Sequence, residues 1–315
     1  MNFDSLLLGV DGGGTRCRAR LCNISGKLLG NAVGGPANIR FGLEASINAA
    51  LEATLRCLTQ SGLSKKDLDR IVACLAFAGA SEPSCLAAAQ NYEYPFRRSI
   101  ITTDAHAACI GAHGGRDGGV VVVGTGTVGW AELEGRVHRI GGWGLPVSDE
   151  GSGAWLGMEA LRNVLLAHDC RRVWTPLLRR LFEKFQSDPH AIVRFVFNAT
   201  PREYASFALL VIEHAARQDV AAVELLQRSA SHLDDLVMRL AQVGADRIAL
   251  VGGLAASIEE WLAPQSHRYL VSPVGDALDG ALSLARIAAE TPTVPDLLDK
   301  PMTKIISDRN AERCL

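Results

Sequence analysis

The chain has 315 residues, 48% hydrophobic and 21% charged, which suits one or two globular domains and excludes an extensively disordered protein. Lys plus Arg number 32 against 34 for Asp plus Glu, so the near-neutral balance gives no electrostatic reason to bind nucleic acid or an anionic membrane. The longest apolar stretch, residues 71–80, is about half a membrane span, and the N-terminus lacks the basic segment of a signal peptide. A soluble, cytoplasmic protein is expected.

Residues 6–10, Leu-Leu-Leu-Gly-Val, read as a buried strand. Asp11-Gly12-Gly13-Gly14-Thr15 is a turn, and Cys17-Arg18-Ala19-Arg20-Leu21-Cys22 alternates with period two, which predicts a strand with one buried face. A second turn at Ser25-Gly26-Lys27 leads to a third strand over 28–33. A helix follows over 43–59, then strands over 71–77 and 99–103, the second running straight into Asp104.

Residues 120–123 are four valines, followed by Gly124-Thr125-Gly126-Thr127 and a hairpin over 128–140 around Glu134-Gly135. The pattern of apolar strand, Gly/Thr turn and amphipathic strands thus occurs twice. Helices are predicted over 152–167 and through 173–243, a strand over 246–251 ending at Gly252-Gly253, and a last helix over 275–289. The tail from residue 291 reads as loosely held surface chain.

Three glycines between two strands bring backbone N–H groups close to a ligand and form an anion cradle. Thr15 adds a hydroxyl, and Asp11 at the strand end is placed to hold a hydrated Mg²⁺. The second Gly/Thr loop would face it across a nucleotide. Gly124, Gly126 and Gly129 also spell a dinucleotide-binding pattern, but that requires a helix to begin inside it. The alternation after Thr127 predicts a strand instead. No Walker-type Gly-Lys-Ser/Thr loop is present.

Asp104, at a strand-to-helix junction, suits either an N-cap or a general base for a substrate hydroxyl. Position alone leaves both open. His106 reads as a packing or surface residue and not a catalytic one. Gly142-Trp143-Gly144 offers an aromatic face for a sugar ring, and Asp149 an acceptor for its hydroxyls; Asp149, Glu150 and Ser152 equally suit a helix start. Asn38 is a loop residue able to donate and accept. The eight cysteines include no CxxC pair, against a thiolate zinc site or a dithiol redox motif.

Taken in order, Asp11-Gly-Gly-Gly-Thr15, Thr103-Asp104-Ala105, Gly124-Thr-Gly-Thr127, Gly142-Trp143-Gly144, Ser148-Asp-Glu-Gly-Ser152 and Val251-Gly-Gly-Leu254 resemble the amino-sugar kinase branch of the BadF/BadG/BcrA/BcrD ATPase family. That branch holds N-acetylglucosamine and glucosamine kinases, within the actin-like ATPase superfamily. The resemblance implies an α/β fold of two ribonuclease H-like domains with a cleft between them. It divides the chain into residues 1–117, rejoined by the helix near 275–290, residues 118–290 with a helical insertion, and a tail over 291–315.

It further implies ATP and Mg²⁺ as cofactors, with the 6-hydroxyl of glucosamine or N-acetylglucosamine as acceptor. Asp104 would be the base. Gly12, Gly13, Gly14, Thr15, Thr125, Gly126 and Thr127 would lie at the phosphates, and Gly252 and Gly253 at the adenosine. Asn38, Asp104, Gly142, Trp143 and Asp149 would form the sugar pocket, and Asp11 would hold Mg²⁺ through water. The partners would be small molecules only, with a homodimer left open. The alternative is an ATPase of the same family that activates a partner enzyme.

Overall fold

The structure, a computed structural model, describes residues 5–291; the tail expected over 291–315 lies, but for Thr291, outside them. In chain order the main elements are β1 (Leu6–Gly12), β2 (Cys17–Asn23), β3 (Leu28–Gly34), α1 (Leu43–Gln60), β4 (Ile71–Phe77), α2 (Pro83–Gln90), β5 (Arg98–Thr103), α3 (Asp104–His113), β6 (Gly118–Val123), β7 (Thr127–Leu133) and β8 (Arg136–Gly141). Next come α4 (Gly153–His168), α5 (Pro176–Lys184), α6 (Pro189–Asn198), α7 (Pro201–Ala205), α8 (Ala208–Ala216), α9 (Val220–Gln242), β9 (Ile248–Val251), α10 (Ala255–Ile258), α11 (Pro264–His267) and α12 (Ala277–Glu290). Among the described residues, one compact unit gathers residues 5–120, 130–138 and 272–291, and the other 121–129 and 139–271. No described helix is long and apolar enough to cross a membrane.

The first unit is built on a five-stranded sheet ordered β3-β2-β1-β4-β5. β1 and β2 pair antiparallel, as do β2 and β3, whereas β4 runs parallel to both β1 and β5. β4 is buried along its whole length, and its period of two divides it between two cores. Ile71, Ala73, Leu75 and Phe77 face one side, with Leu6, Leu8 and Val10 of β1 and Ile47, Ala50 and Leu58 of α1. Val72, Cys74 and Ala76 face the other, with Leu7, Ala107 of α3 and Ala281, Leu284 and Ala285 of α12.

The C-terminal helix is therefore a core element of the N-terminal sheet. Small residues allow its approach: a side chain on Gly9 would meet the Leu278 carbonyl oxygen at 2.9 Å, and one on Gly280 would run into the Ala107 carbonyl of α3. Burial so deep leaves Cys74 an inert thiol, its pKa pushed up to about 12 by desolvation.

In the second sheet the strand order is β8-β7-β6-β9. Strands β6 to β8 follow the predicted hairpin pattern, so Gly124 and Gly126 lie in a strand turn, Gly129 lies within β7, and no helix begins there. The helical stretch from α5 to α9 is punctuated by side-chain caps: Thr175, Asp188 and Thr200 each accept a backbone N–H, and each is followed by a proline at the first helical position. Asp219 opens the long α9 by accepting from Ala221 and Ala222, and also takes the Leu177 N–H at 2.8 Å.

Candidate functional site

In the first unit, chain direction collects the candidate residues at one edge of the sheet. Register pairs Gly12 with Phe77 and Phe77 with Thr103. The next residues along these parallel strands are Gly13, Ala78 and Asp104, so all three leave the sheet at its carboxyl edge, where open α/β sheets bind ligands. β1 and β5 are two strands apart, about 10 Å. The loop carrying Asn38 joins the same edge: Asn38 bridges to Ala78, and Ile39 N–H donates to the Ala78 carbonyl at 3.0 Å. The Asn38 side-chain oxygen accepts from the Arg40 N–H at 3.1 Å, which orients its amide.

The cap at the head of α3 is Thr103, whose hydroxyl accepts from the His106 N–H at 3.0 Å. Asp104 is the first helical residue, with Oδ1 accepting from the Ala105 N–H at 2.9 Å, so the N-cap reading of Asp104 is wrong. His106 is packing, as expected, but packing of a polar kind. Its Nδ1 lies 2.7 Å from the Thr102 hydroxyl, its Nε2 3.2 Å from a Glu132 carboxylate oxygen, and its ring 6.0 Å from that of Trp130. This buried set pins the first turn of α3, and so Asp104, to strands β5 and β7.

The glycine turn is more differentiated than a uniform cradle. A side chain on Gly12 would strike Phe77 Cδ1 at 2.7 Å, so Gly12 is there for packing. Gly13 gives its N–H to the Arg16 carbonyl at 3.0 Å, and its own carbonyl accepts from Ala37 at 2.9 Å. Those bonds shape the hairpin and take the Gly13 N–H away from any ligand, leaving Gly14 and the exposed Thr15 at the tip.

Asp11 lies directly opposite Arg18 in the β1–β2 register. Arg18 Nη2 and Nε donate to Asp11 Oδ2 at 2.7 and 3.1 Å, and Nη1 donates to Asp276 Oδ2 at 2.7 Å. Arg20 pairs with Asp279. Asp276 is in turn the N-cap of α12, in a capping box with Asp279. Burial works to raise the Asp276 pKa, but the Arg18 charge, the Asp279 N–H and Arg20 outweigh it and hold the carboxyl below its ordinary value.

Among the described residues no three His, Cys, Asp or Glu side chains converge as a cage for a metal ion. The donor set at Asp11 suits a different arrangement. One carboxylate beside a glycine turn, with both Arg18 contacts on Oδ2, matches a Mg²⁺ that keeps its waters and is held chiefly by nucleotide phosphates.

In the second unit, the loop after β6 folds back on itself, Gly124 N–H to the Gly126 carbonyl at 2.9 Å. The Gly124 and Thr125 carbonyls accept from Gly153 and Ala154, the first two residues of α4, at 2.9 and 3.1 Å. Thr127 is buried, and among the described residues its hydroxyl has no hydrogen-bond partner. The strand ends β6 and β9 are strapped together by the Leu254 N–H on the Val123 carbonyl at 3.1 Å. Gly252, at φ 106°, is pressed against Val123, whereas a side chain on Gly253 or Gly124 would meet only open space.

Asp149 joins two loops. Its Oδ1 accepts from the Gly144 N–H at 3.0 Å, and its Oδ2 lies where a Gly126 side chain would be. It does so from a left-handed backbone, φ 65°, a conformation that Asp tolerates at some cost. The helix cap is Ser152, which accepts from the Trp155 N–H, so Asp149 is not spent on starting α4. Trp143 is 64% exposed. The Arg139 guanidinium covers one face of its ring at 4.2 Å from the centroid, a partner that no motif in the sequence announces.

A meander leading into parallel strands, a glycine turn after the first strand, and an acid after the last define the actin-like ATPase fold class. The model of the BadF/BadG/BcrA/BcrD ATPase family matches residues 8–283. The chain is 38% identical to a glucosamine kinase of Vibrio cholerae, over 88% of this chain and 95% of that one. It is 26% identical to an N-acetylmuramic acid/N-acetylglucosamine kinase of Clostridium acetobutylicum, over 72% and 76%. The crystal structure of a Chromobacterium violaceum protein provisionally assigned as an N-acetylglucosamine kinase superposes with TM-score 0.84 at 34% identity, covering 89% of this chain and 99% of that one. The chain belongs to the BadF/BadG/BcrA/BcrD ATPase family.

Proposed function

We propose that this protein is an ATP-dependent amino-sugar kinase that phosphorylates the 6-hydroxyl of glucosamine or N-acetylglucosamine. The observation that carries the reading is Asp104: a carboxylate at the carboxyl edge of the parallel strands β1, β4 and β5, relieved of helix capping by Thr103 and two strands from the glycine turn. The names of the relatives in Vibrio cholerae and Clostridium acetobutylicum support an amino-sugar acceptor.

In this reading the hydroxyl oxygen of the sugar forms a bond to the γ-phosphorus of ATP as the bond from that phosphorus to the β,γ-bridging oxygen breaks, and ADP leaves. The hydroxyl proton passes to the Asp104 carboxylate and on to solvent. Phosphoryl transfer has a loose transition state, so positioning and charge stabilisation carry much of the catalysis. Mg²⁺, when bound with the nucleotide, neutralises phosphate charge, and Asp11 would hold one of its waters. Gly14, Thr15, Thr125, Gly126 and Thr127 would contact phosphates, and Gly252 and Gly253 the adenosine. Asn38, Gly142, Trp143 and Asp149 would bind the sugar. The Gly12 and Gly13 contributions would be to the shape of the turn.

The test is an ADP-release assay over glucosamine, N-acetylglucosamine, glucose and N-acetylmuramic acid, with product mapping of the phosphorylated position. Release stimulated by an amino sugar, with phosphate on O6, is expected. Equal ATP hydrolysis with and without every sugar would replace this reading by that of an ATPase acting on a partner enzyme.

A further inference from the structure

The loop Gly141-Gly142-Trp143-Gly144 has all three glycines at positive φ, 67°, 71° and 99°. Glycine adopts this backbone without steric cost, but it also loses the most conformational entropy when ordered. A loop of this composition keeps one shape only if neighbouring groups hold it. Ser148 and Asp149 do part of this, accepting from the Trp143 and Gly144 N–H groups at 3.3 and 3.0 Å.

Arg139, the fourth residue of the edge strand β8, does the rest. Its Nε donates to the Gly141 carbonyl at 3.1 Å and its Nη2 to the Gly142 carbonyl at 2.5 Å. The same guanidinium plane lies over the Trp143 ring. One rigid planar group thus fixes two carbonyls and one face of the ring. The indole remains 64% exposed. A ring backed by a cation is held against rotation.

We propose that Arg139 is the positioning residue of the acceptor pocket: it sets the Trp143 ring as the platform on which the sugar stacks. The inference rests on the proposed function, in which Trp143 contacts the acceptor. Lysine cannot replace it in full, because an ammonium cannot stack and donate to two carbonyls in a fixed fork.

The experiment compares R139M, R139K, W143A and the double variant R139M/W143A, measuring KM for the amino sugar and for ATP, kcat, and Tm. R139M is expected to raise the sugar KM about threefold to tenfold, the weight of a cation–π contact and two loop hydrogen bonds, with the ATP KM unchanged. R139K is expected to recover part of the loss. In the W143A background R139M should add nothing to the sugar KM, since Arg139 acts through the ring. A full additional effect in that background overturns the role. So does an unchanged sugar KM in R139M when W143A raises it, and that outcome leaves the acceptor assignment of the loop standing. An unchanged sugar KM in W143A overturns both. Should R139M fail to fold, R139K reads the same split, and no rise in its sugar KM overturns the role.

Discussion

Asp11 and Arg18 face each other across the first hairpin, with Asp11 Oδ2 held by two guanidinium nitrogens at 2.7 and 3.1 Å. Arg18 reaches in the same stroke to Asp276, 258 residues later in the chain. The carboxylate nearest the glycine turn is thereby fixed by an arginine that is itself fixed by the cap of the last helix. Asp276→Asn keeps a competent cap, because Asn caps as well as Asp, and removes the charge together with the oxygen that accepts from Arg18. Arg18 and Arg20 depress the Asp276 pKa against the effect of its burial. A depressed carboxyl contributes stability above its unfolded pKa of about 3.9, and that contribution is lost as pH falls through the folded value. Tm measured by circular dichroism from pH 7 to pH 3 should therefore fall less steeply for Asp276→Asn than for wild type below about pH 4. Parallel curves would show that the pair adds nothing to folding.

Asp104→Asn is expected to lower turnover by about two to four powers of ten, the usual worth of a general base, with Tm and ATP affinity near wild type. Thr103 does the capping, so the change should not loosen α3. Thr103→Ala should behave oppositely, costing about 1 kcal/mol of stability. Turnover above about a tenth of wild type in Asp104→Asn removes it from the role of base.

Thr127→Val tests the buried hydroxyl after β6. An unsatisfied buried polar atom costs about 1–3 kcal/mol, so its replacement by an isosteric methyl should raise Tm of the free protein. If the hydroxyl meets a phosphate when nucleotide binds, the ATP KM should rise at the same time. A higher Tm with an unchanged ATP KM would make Thr127 a core residue only.

Gly280→Ala sets two effects against each other. Alanine is better than glycine in a helix interior by about 1 kcal/mol. The added methyl would collide with the Ala107 carbonyl, and overpacking costs about 1–3 kcal/mol or more when backbone must move. The collision is with backbone, so it should win, and Tm should drop by several degrees. A rise in Tm would mean that α3 and α12 part at little cost.

Strand periodicity made most of the first sheet legible. The alternation of Cys17, Ala19 and Leu21 with Arg18 and Arg20 marks both faces of β2, and β4 is observed over the residues its apolar run predicts. The β9 strand is shorter than predicted, because Asp246 and Arg247 precede its pairing. Helix α2 was not anticipated, although Glu82 before Pro83 is a cap followed by a favoured first residue. Of the site, the glycine turns and acids stood out because their chemistry is local. Arg18 and Arg139 did not. Arg18 looks like the solvent face of an amphipathic strand, and only register places it across from Asp11. Arg139 reads the same way, and its stacking on Trp143 depends on a loop path that left-handed glycines determine.

The embedding of α12 in the first sheet has a consequence for the birth of the protein. Leu7, Val72, Cys74 and Ala76 share their core with Ala281, Leu284 and Ala285 of a helix that begins at Ala277. When the five strands have left the ribosome, one face of their sheet has no cover from α12. The chain between β5 and α12, residues 104–276, takes roughly 9–35 s to synthesise at about 5–20 residues per second. For that interval the nascent sheet exposes an apolar face, and it is then that the chain most needs a chaperone.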